Sequence, residues 1–290
     1  MNKSQRLCQL IQAKETLIMP DAYDAISARI IEQAGFDAVQ CSGYSFSISS
    51  CYPEETDVSF EDNIDKTKRI IDAVDVPVMA DGEDGFGDGD VLKANIKTYI
   101  TIGAAGANIE DQNLRRQGEG RVIAESQMRE KIRLVREAAS EAGNPDFVLN
   151  ARTDALLSCD DRIKGQVAAI ERANAYLEAG ASLCFITYTK TLEEVRLFAR
   201  EVHGPISIAA GLPYNITEFS VADCCELGIA RVSVPTIAIL SSIKALRDVM
   251  GLLKETNKFD ALLAKEMVLS DMAVLRTLTS RSQNAERTND

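Results

Sequence analysis

Eight short runs of almost wholly apolar residues recur along the chain about 30 residues apart, the length of one strand-plus-helix unit. They occupy positions 18–20, 37–43, 76–81, 106–111, 146–152, 182–187, 205–210 and 230–235. A strand with one wet face alternates apolar and polar residues. These runs do not, so both faces are buried, as in a parallel sheet covered by helices. The segments between them repeat apolar residues at i, i+3, i+4 and i+7, as in YDAISARIIEQAG and ESQMREKIRLVREAASEAG. Gly35, Gly180 and Gly228 each end such a segment two residues before the next run, where a left-handed glycine closes a helix. Eight units of this kind predict an α/β fold, a closed (β/α)8 or TIM barrel, in one domain over 1–290; an open doubly wound sheet is the alternative.

Two helical stretches, 236–257 and 259–278, remain after the eighth run, and one barrel needs only one closing helix. The second carries Leu262, Leu263, Met267, Met272 and Leu275 on one face. We expect that face to be covered by another copy of the chain in a homo-oligomer, a dimer or tetramer. The opening segment MNKSQRLCQLIQAKE reads as an amphipathic helix, and the tail from Thr279 is polar. Hydrophobic residues make up 46% of the chain, enough for a large core, but no apolar run reaches the length of a membrane span. The net charge of −12 disfavours nucleic acid, because phosphates call for a basic surplus. Seven cysteines without a CxxC pair suit reduced thiols in a cytoplasmic protein.

In such a barrel the chemistry sits where the strands end. The second run ends in Ser42-Gly43-Tyr44, the third in Asp81-Gly82-Glu83, the fourth in Glu110-Asp111 and the fifth in Arg152-Thr153-Asp154. One acid at a strand end often caps the next helix. Acids on adjacent ends repel each other unless something positive lies between them. Mg²⁺ suits the place, because it takes oxygen ligands and keeps several waters, so Asp81, Glu83 and Glu110 suffice to hold it. A bound Mg²⁺ chelates a 2-oxo acid and stabilises the enolate left when the adjacent bond breaks. Arg152 offers a bidentate grip on a carboxylate, the Ser-Gly turn offers N–H groups, and Gly85 and Gly87 leave room for close approach. His203, the only histidine, lies at a helix end and is not expected to be catalytic.

With PDAYDAISARIIEQAGFDAV, SGYSFS, VPVMADGEDGFG, IEDQ and NARTDA, the chain resembles the phosphoenolpyruvate mutase/isocitrate lyase superfamily over about residues 5–250. The resemblance implies a Mg²⁺-dependent barrel whose eighth helix swaps between subunits. It implies that Asp81, Glu83 and Glu110 bind the metal, that Ser42, Gly43 and Tyr44 form a carboxylate-binding turn, and that Arg152 grips substrate. Glu54 falls where the family has an Asp near the metal waters. The family has Asp-x-Asp on the third strand, where this chain has Asp81-Gly82-Glu83. The family's carbon–carbon lyases carry a Cys and a His in the loop after the fourth strand; here Gln112 to Arg121 contains neither. The lyases' Glu on the sixth strand is replaced by Thr187 or Tyr188, and an Asn on the seventh is replaced near Ala209.

These features predict a Mg²⁺-dependent lyase that cleaves or decarboxylates a small, oxaloacetate-like 2-oxo or 2-hydroxy dicarboxylate. The loop after the fourth strand closes on substrate with Gly118 and Gly120 as hinges, Arg115 and Arg116 gripping a distal carboxylate. Solvent or Tyr44 supplies the proton, and Glu119 is the loop's only titratable alternative. A phosphonate P–C bond enzyme using Asn113, or a metal-binding protein that binds an acid without turnover, are the other readings.

Overall fold

The structure, a computed structural model, describes residues 1–113, 121–269 and 271–279. Its first unit runs from Met1 to Ile237. It contains the strands β1 (Leu17–Ala22), β2 (Val39–Cys41), β3 (Val78–Asp81), β4 (Gly106–Glu110), β5 (Val148–Thr153), β6 (Leu183–Ile186), β7 (Ile206–Ala209) and β8 (Arg231–Val234). All pair in parallel, in sequence order, and β8 returns to β1 with Met19 opposite Ser233, so the expected closed barrel is what forms. The helices are α1 (Lys3–Gln12), α2 (Ala25–Gln33), α3 (Gly43–Ser49), α4 (Phe60–Ala73), α5 (Gly89–Thr101), α6 (Glu125–Glu141), α7 (Arg162–Glu178), α8 (Leu192–Glu201) and α9 (Val221–Glu226). Side chains of Asp24, Ser59 and Thr191 accept the first free N–H groups of α2, α4 and α8, each cap being worth about 1 kcal/mol.

Alternation along the strands separates two cores. Val39, Val78, Ile109, Leu149, Ile186, Ile208 and Val232 pack outward against the helices. The barrel interior is filled in levels. At its base Leu17, Met19, Met79, Val148 and Leu183 join Leu7 and Ile11 of α1, so the amphipathic opening helix closes that end. Each such side chain contributes roughly 1.5–3 kcal/mol by leaving water. The next level is polar and buried. Asn150 Nδ2 donates to Asn108 Oδ1 at 2.7 Å, Gln40 Nε2 to Ser233 Oγ at 2.7 Å, and Arg231 to Ser207 and Gln40. Burial lowers the Arg231 pKa to about 9, and its guanidinium rests 5.5 Å from the Phe185 ring. The interior therefore grades from apolar base to polar middle to an ionisable rim.

The second unit, Ala238–Asp290, holds most of α10 (Ile237–Thr256), with α11 (Asp260–Ala264) and α12 (Met272–Thr279). The single long helix expected over 259–278 is therefore two short ones. Glu266 adopts a left-handed φ of 53°, and Asp271 Oδ1 accepts the Ala273 N–H at 2.7 Å, starting a new helix. A residue in that conformation stops one helix and an Asx contact begins another, which apolar periodicity does not report.

Candidate active site

The strand ends converge because β3 and β4 stay zipped beyond their last paired residues. Gly82 N–H donates to the Asn108 carbonyl at 3.0 Å, and Glu110 N–H to the Glu83 carbonyl at 2.9 Å. The Asp81 carbonyl is held by Asn63 Nδ2 at 2.9 Å. Glu83 has φ 49°, which turns its side chain back over the barrel mouth. There it meets Gly43, where an added Cβ would stand 1.6 Å from Glu83 Oε1, so only glycine lets the carboxylate sit there.

Ser42 caps α3, and the first N–H groups of that helix are already engaged. Gly43 N–H donates to Asp81 Oδ2 at 2.9 Å, and Tyr44 N–H to the Glu55 carboxylate. The turn read as a ligand's carboxylate site thus binds the protein's own carboxylates in this structure. Glu55, Asp81 and Glu83 bring one oxygen each to within 4.8 Å of one another. Glu110 completes the rim, its Oε2 2.7 Å from Arg152 Nη1, and Arg152 also reaches Asp154 Oδ2 at 3.1 Å. Thr187, just after β6, donates to Asp154.

Five carboxylates, those of Glu55, Asp81, Glu83, Glu110 and Asp154, share the one guanidinium of Arg152 in this group. Burial, then the charges of Asp81, Glu55 and Glu110, push Glu83 well above the usual carboxylate range. Burial does the same to Glu110 and outweighs the attraction of Arg152. Burial raises Glu55 to about 7. Arg152 loses solvation, but Asp154, Glu110, Glu55 and Asp81 more than compensate and keep it charged. Asp81 Oδ1, both carboxylate oxygens of Glu83 and Glu110 Oε1 have no hydrogen-bond donor although all are buried. Orphaned acceptors in a converging anionic cluster fit a hard divalent cation, which satisfies the lone pairs and removes the repulsion.

Asp81, Glu83, Glu110, Arg152, Ser42 and Gly43 therefore come together at the rim. Tyr44 stands beside them on α3, 52% exposed. Asn113 lines a small cleft with Asp84, Phe86, Gln112 and Lys131, and Gln112 Oε1 accepts from Arg152 Nη2 at 3.3 Å. Arg115, Arg116, Gly118, Glu119 and Gly120 lie outside the described residues. Gly85 and Gly87 do not open room for a ligand: Cβ atoms there would strike Leu92 and Val91, so they let the loop approach α5. Glu54 is corrected to Glu55. A 3-10 turn over Glu55–Asp57 leaves Glu54 exposed and sends the next side chain inward. The adjacent pair of glutamates was visible in the sequence, but the phase of that turn was not.

Three buried acids were not singled out from sequence. Asp154 grips Arg152. Asp21, on β1, accepts Ser45 Oγ at 2.5 Å while its Oδ1 has no partner. Asp111, beside Glu110, faces away: it accepts Tyr176 OH and Thr153 Oγ1 at 2.7 Å, Asp154 N–H at 2.9 Å and Arg172 at 3.1 Å. That network anchors the segment bearing Arg152 and Asp154.

A protein-family description, phosphoenolpyruvate phosphomutase, matches residues 7–254. The chain belongs to this family. It is 31% identical over 259 residues to 2,3-dimethylmalate lyase of Eubacterium barkeri, covering 88% of this chain and 87% of that one. It is 28% identical to a 2-methylisocitrate lyase of Halalkalibacterium halodurans, covering 89% and 84%. A solved phosphonopyruvate hydrolase, in complex with oxalate and Mg²⁺, superposes with a TM-score of 0.85 at 25% identity, covering 96% and 95%.

Proposed function

We propose that the chain is a Mg²⁺-dependent lyase that cleaves or decarboxylates a small 2-oxo or 2-hydroxy dicarboxylate. The observation that carries the reading is the converging group Glu55, Asp81 and Glu83, with Glu110 alongside on a charged Arg152 and orphaned buried oxygens on Asp81, Glu83 and Glu110. Asp81, Glu83 and Glu110 would hold the cation in this reading, with Glu55 as a further donor. The bound cation supplies Lewis acidity at the 2-oxo or 2-hydroxy oxygen, where charge develops as the bond beyond it breaks. Arg152 exchanges part of its pairing with Glu110 for the substrate carboxylate, and Asp154 keeps the guanidinium aimed. The N–H groups of Gly43 and Tyr44, which bind Asp81 and Glu55, would be available to a substrate carboxylate wherever those acids served the cation instead. In this reading Tyr44, exposed beside the rim, donates the proton.

The relatives support this class: two are lyases of hydroxy acids, and a third was solved with oxalate and Mg²⁺. The last also supports a second reading, hydrolysis of a P–C bond. Turnover with and without Mg²⁺ of 2-oxo dicarboxylates, 2-hydroxy dicarboxylates and phosphonopyruvate separates the two. Asp81→Ala is expected to abolish both turnover and metal dependence while the fold persists; full activity in that variant overturns the assignment.

A further inference from the structure

The sector of the rim formed by β6 and β7 has no part in the metal cluster. Its first feature is backbone geometry. Tyr188, just after β6, has φ 60°, a left-handed conformation costly for a bulky residue. Such conformations persist only where the surroundings enforce them. Here they do: Arg162 Nη2 donates to the Tyr188 carbonyl at 2.7 Å while the same guanidinium pairs with buried Glu194 at 2.5 Å.

The second feature is a staple between the two loops. Asn215, fully buried, donates through Nδ2 to the Thr189 carbonyl at 3.0 Å and the Ala209 carbonyl at 2.9 Å. Its Oδ1 accepts the Leu212 N–H at 3.0 Å. The staple brings the preceding residue, Tyr214, onto Tyr188: their rings stack with centroids 6.0 Å apart and planes 22° from parallel. The pair adjoins the substrate arginine, because Thr187, next to Tyr188, bonds Asp154, which holds Arg152. Both phenols feel the charges of Arg152 and Asp154. An aromatic wall is thus built beside the carboxylate grip, on the side away from β3 and β4, at the expense of a strained residue.

The chemistry of that wall selects what can lie against it. Among the described residues, the cation whose charge both phenols feel, Arg152, is already shared by Glu110, Asp154 and Gln112, so a second carboxylate directed there gains little and meets Asp154. Alkyl groups meet ring faces and edges and leave water. We infer that Tyr188 and Tyr214 form the specificity wall of the site and select dicarboxylates bearing alkyl groups on the carbon next to the 2-oxo or 2-hydroxy centre. This rests on the proposed reading of the site as one for 2-oxo or 2-hydroxy acids.

The test is binding in the presence of Mg²⁺, by calorimetry for oxalate and by competition against oxalate for malate, 3-methylmalate and 3,3-dimethylmalate. Tyr188→Gly removes the ring and keeps a residue at ease with positive φ. Tyr214→Ala removes the more exposed ring, and Tyr188→Phe keeps the ring without its hydroxyl. In the parent protein, 3,3-dimethylmalate is expected to bind at least tenfold tighter than malate, in line with about tenfold or more per well-packed methyl group. Tyr188→Gly and Tyr214→Ala should each reduce that preference below threefold. Tyr188→Phe should retain it, and oxalate affinity should stay within twofold throughout. An unchanged preference in both ring deletions overturns the inference, as does a parent protein with no preference. A tenfold loss of oxalate affinity in the ring deletions also overturns it, because the tyrosines would then support Arg152 instead of facing the substituent. A parent protein that binds no oxalate with Mg²⁺ sinks the 2-oxo acid reading itself, and the inference falls with it.

Discussion

At the scale of the residue, the site depends on one absent methyl group. The overlap that a Cβ at Gly43 would produce falls on the end of a flexible glutamate, so Gly43→Ala should cost little stability. It should nevertheless displace the Glu83 carboxylate. Mg²⁺ affinity measured by calorimetry is expected to fall at least tenfold with the circular dichroism spectrum unchanged; unaltered affinity would falsify the placement of Glu83. Glu55 supplies a pH signature. Its carboxyl is raised in the fold from 4.5 to about 7, so the folded state favours the proton. The stability contributed by the protonated form is complete below the unfolded value and declines as pH rises through about 7. The decline is about 1–3 kcal/mol, allowing for partial exposure of this side chain. Without Mg²⁺, the midpoint of thermal unfolding should drop between pH 4.5 and 7.5 or so. Glu55→Gln should flatten the drop, and a slope that survives that change unaltered removes Glu55 as its source. The identities of Asp81, Glu110 and Arg152 were legible in the sequence because strand ends are. The inward turn of Glu55 and the grip of Asp154 on Arg152 were not, because the phase of a turn and the choice among the acids near a guanidinium are settled by packing.

At the scale of the element, the loop between β3 and α5 has the greatest departure from ordinary backbone. Glu83, Gly85, Phe86, Gly87 and Gly89 all have positive φ. Such a loop needs an external clamp, and α6 provides one: Lys131 Nζ reaches the Asp84 carbonyl at 2.5 Å and Asp88 Oδ1 at 3.0 Å. Lys131→Met keeps the aliphatic stem and removes the clamp. Hydrogen exchange of amides 83–89 should then accelerate several-fold, and the global unfolding midpoint should move by only a few degrees, as for loss of about 1–2 kcal/mol. Equal protection of that loop in both proteins would show that the glycines and Asn95, whose Nδ2 donates to the Gly85 carbonyl at 3.0 Å, hold it unaided. The eight strands were legible because burial on both faces leaves a plain apolar signature; only their ends shifted, by one or two residues, with β1 longer than its run and most of the others shorter. The helix expected over 259–278 failed because its apolar spacing runs unbroken across a left-handed residue that leaves no mark on hydrophobicity.

At the scale of the whole molecule, the second unit poses a problem of burial. Among its described residues only Ile239, Leu262 and Leu278 are buried hydrophobics, while Leu246, Leu263, Leu269 and Met272 are all more than half exposed. Three buried side chains fall far short of a self-supporting core. We expect copies of the chain to cover this unit in a dimer or tetramer. Sedimentation velocity at micromolar concentration should show a species of at least twice 31.6 kDa. A monomer there would count against it.

Periodicity by itself determined eight strand-and-helix units with doubly buried strands, because such strands have few ways to hide their apolar faces; the pairing of β8 with β1 decided that the sheet closes. It determined, too, which strand ends would carry acid and which the guanidinium, because a parallel barrel presents every carboxyl end at one rim. Only the tertiary structure decided which acids meet. Glu55 enters and Glu54 does not, Asp111 turns away into a Tyr176–Arg172 network, and Glu83 fits only because Gly43 lies opposite. Those outcomes depend on backbone rotations of a few residues and on contacts between strands far apart in sequence, and neither leaves a trace in the order of residue types.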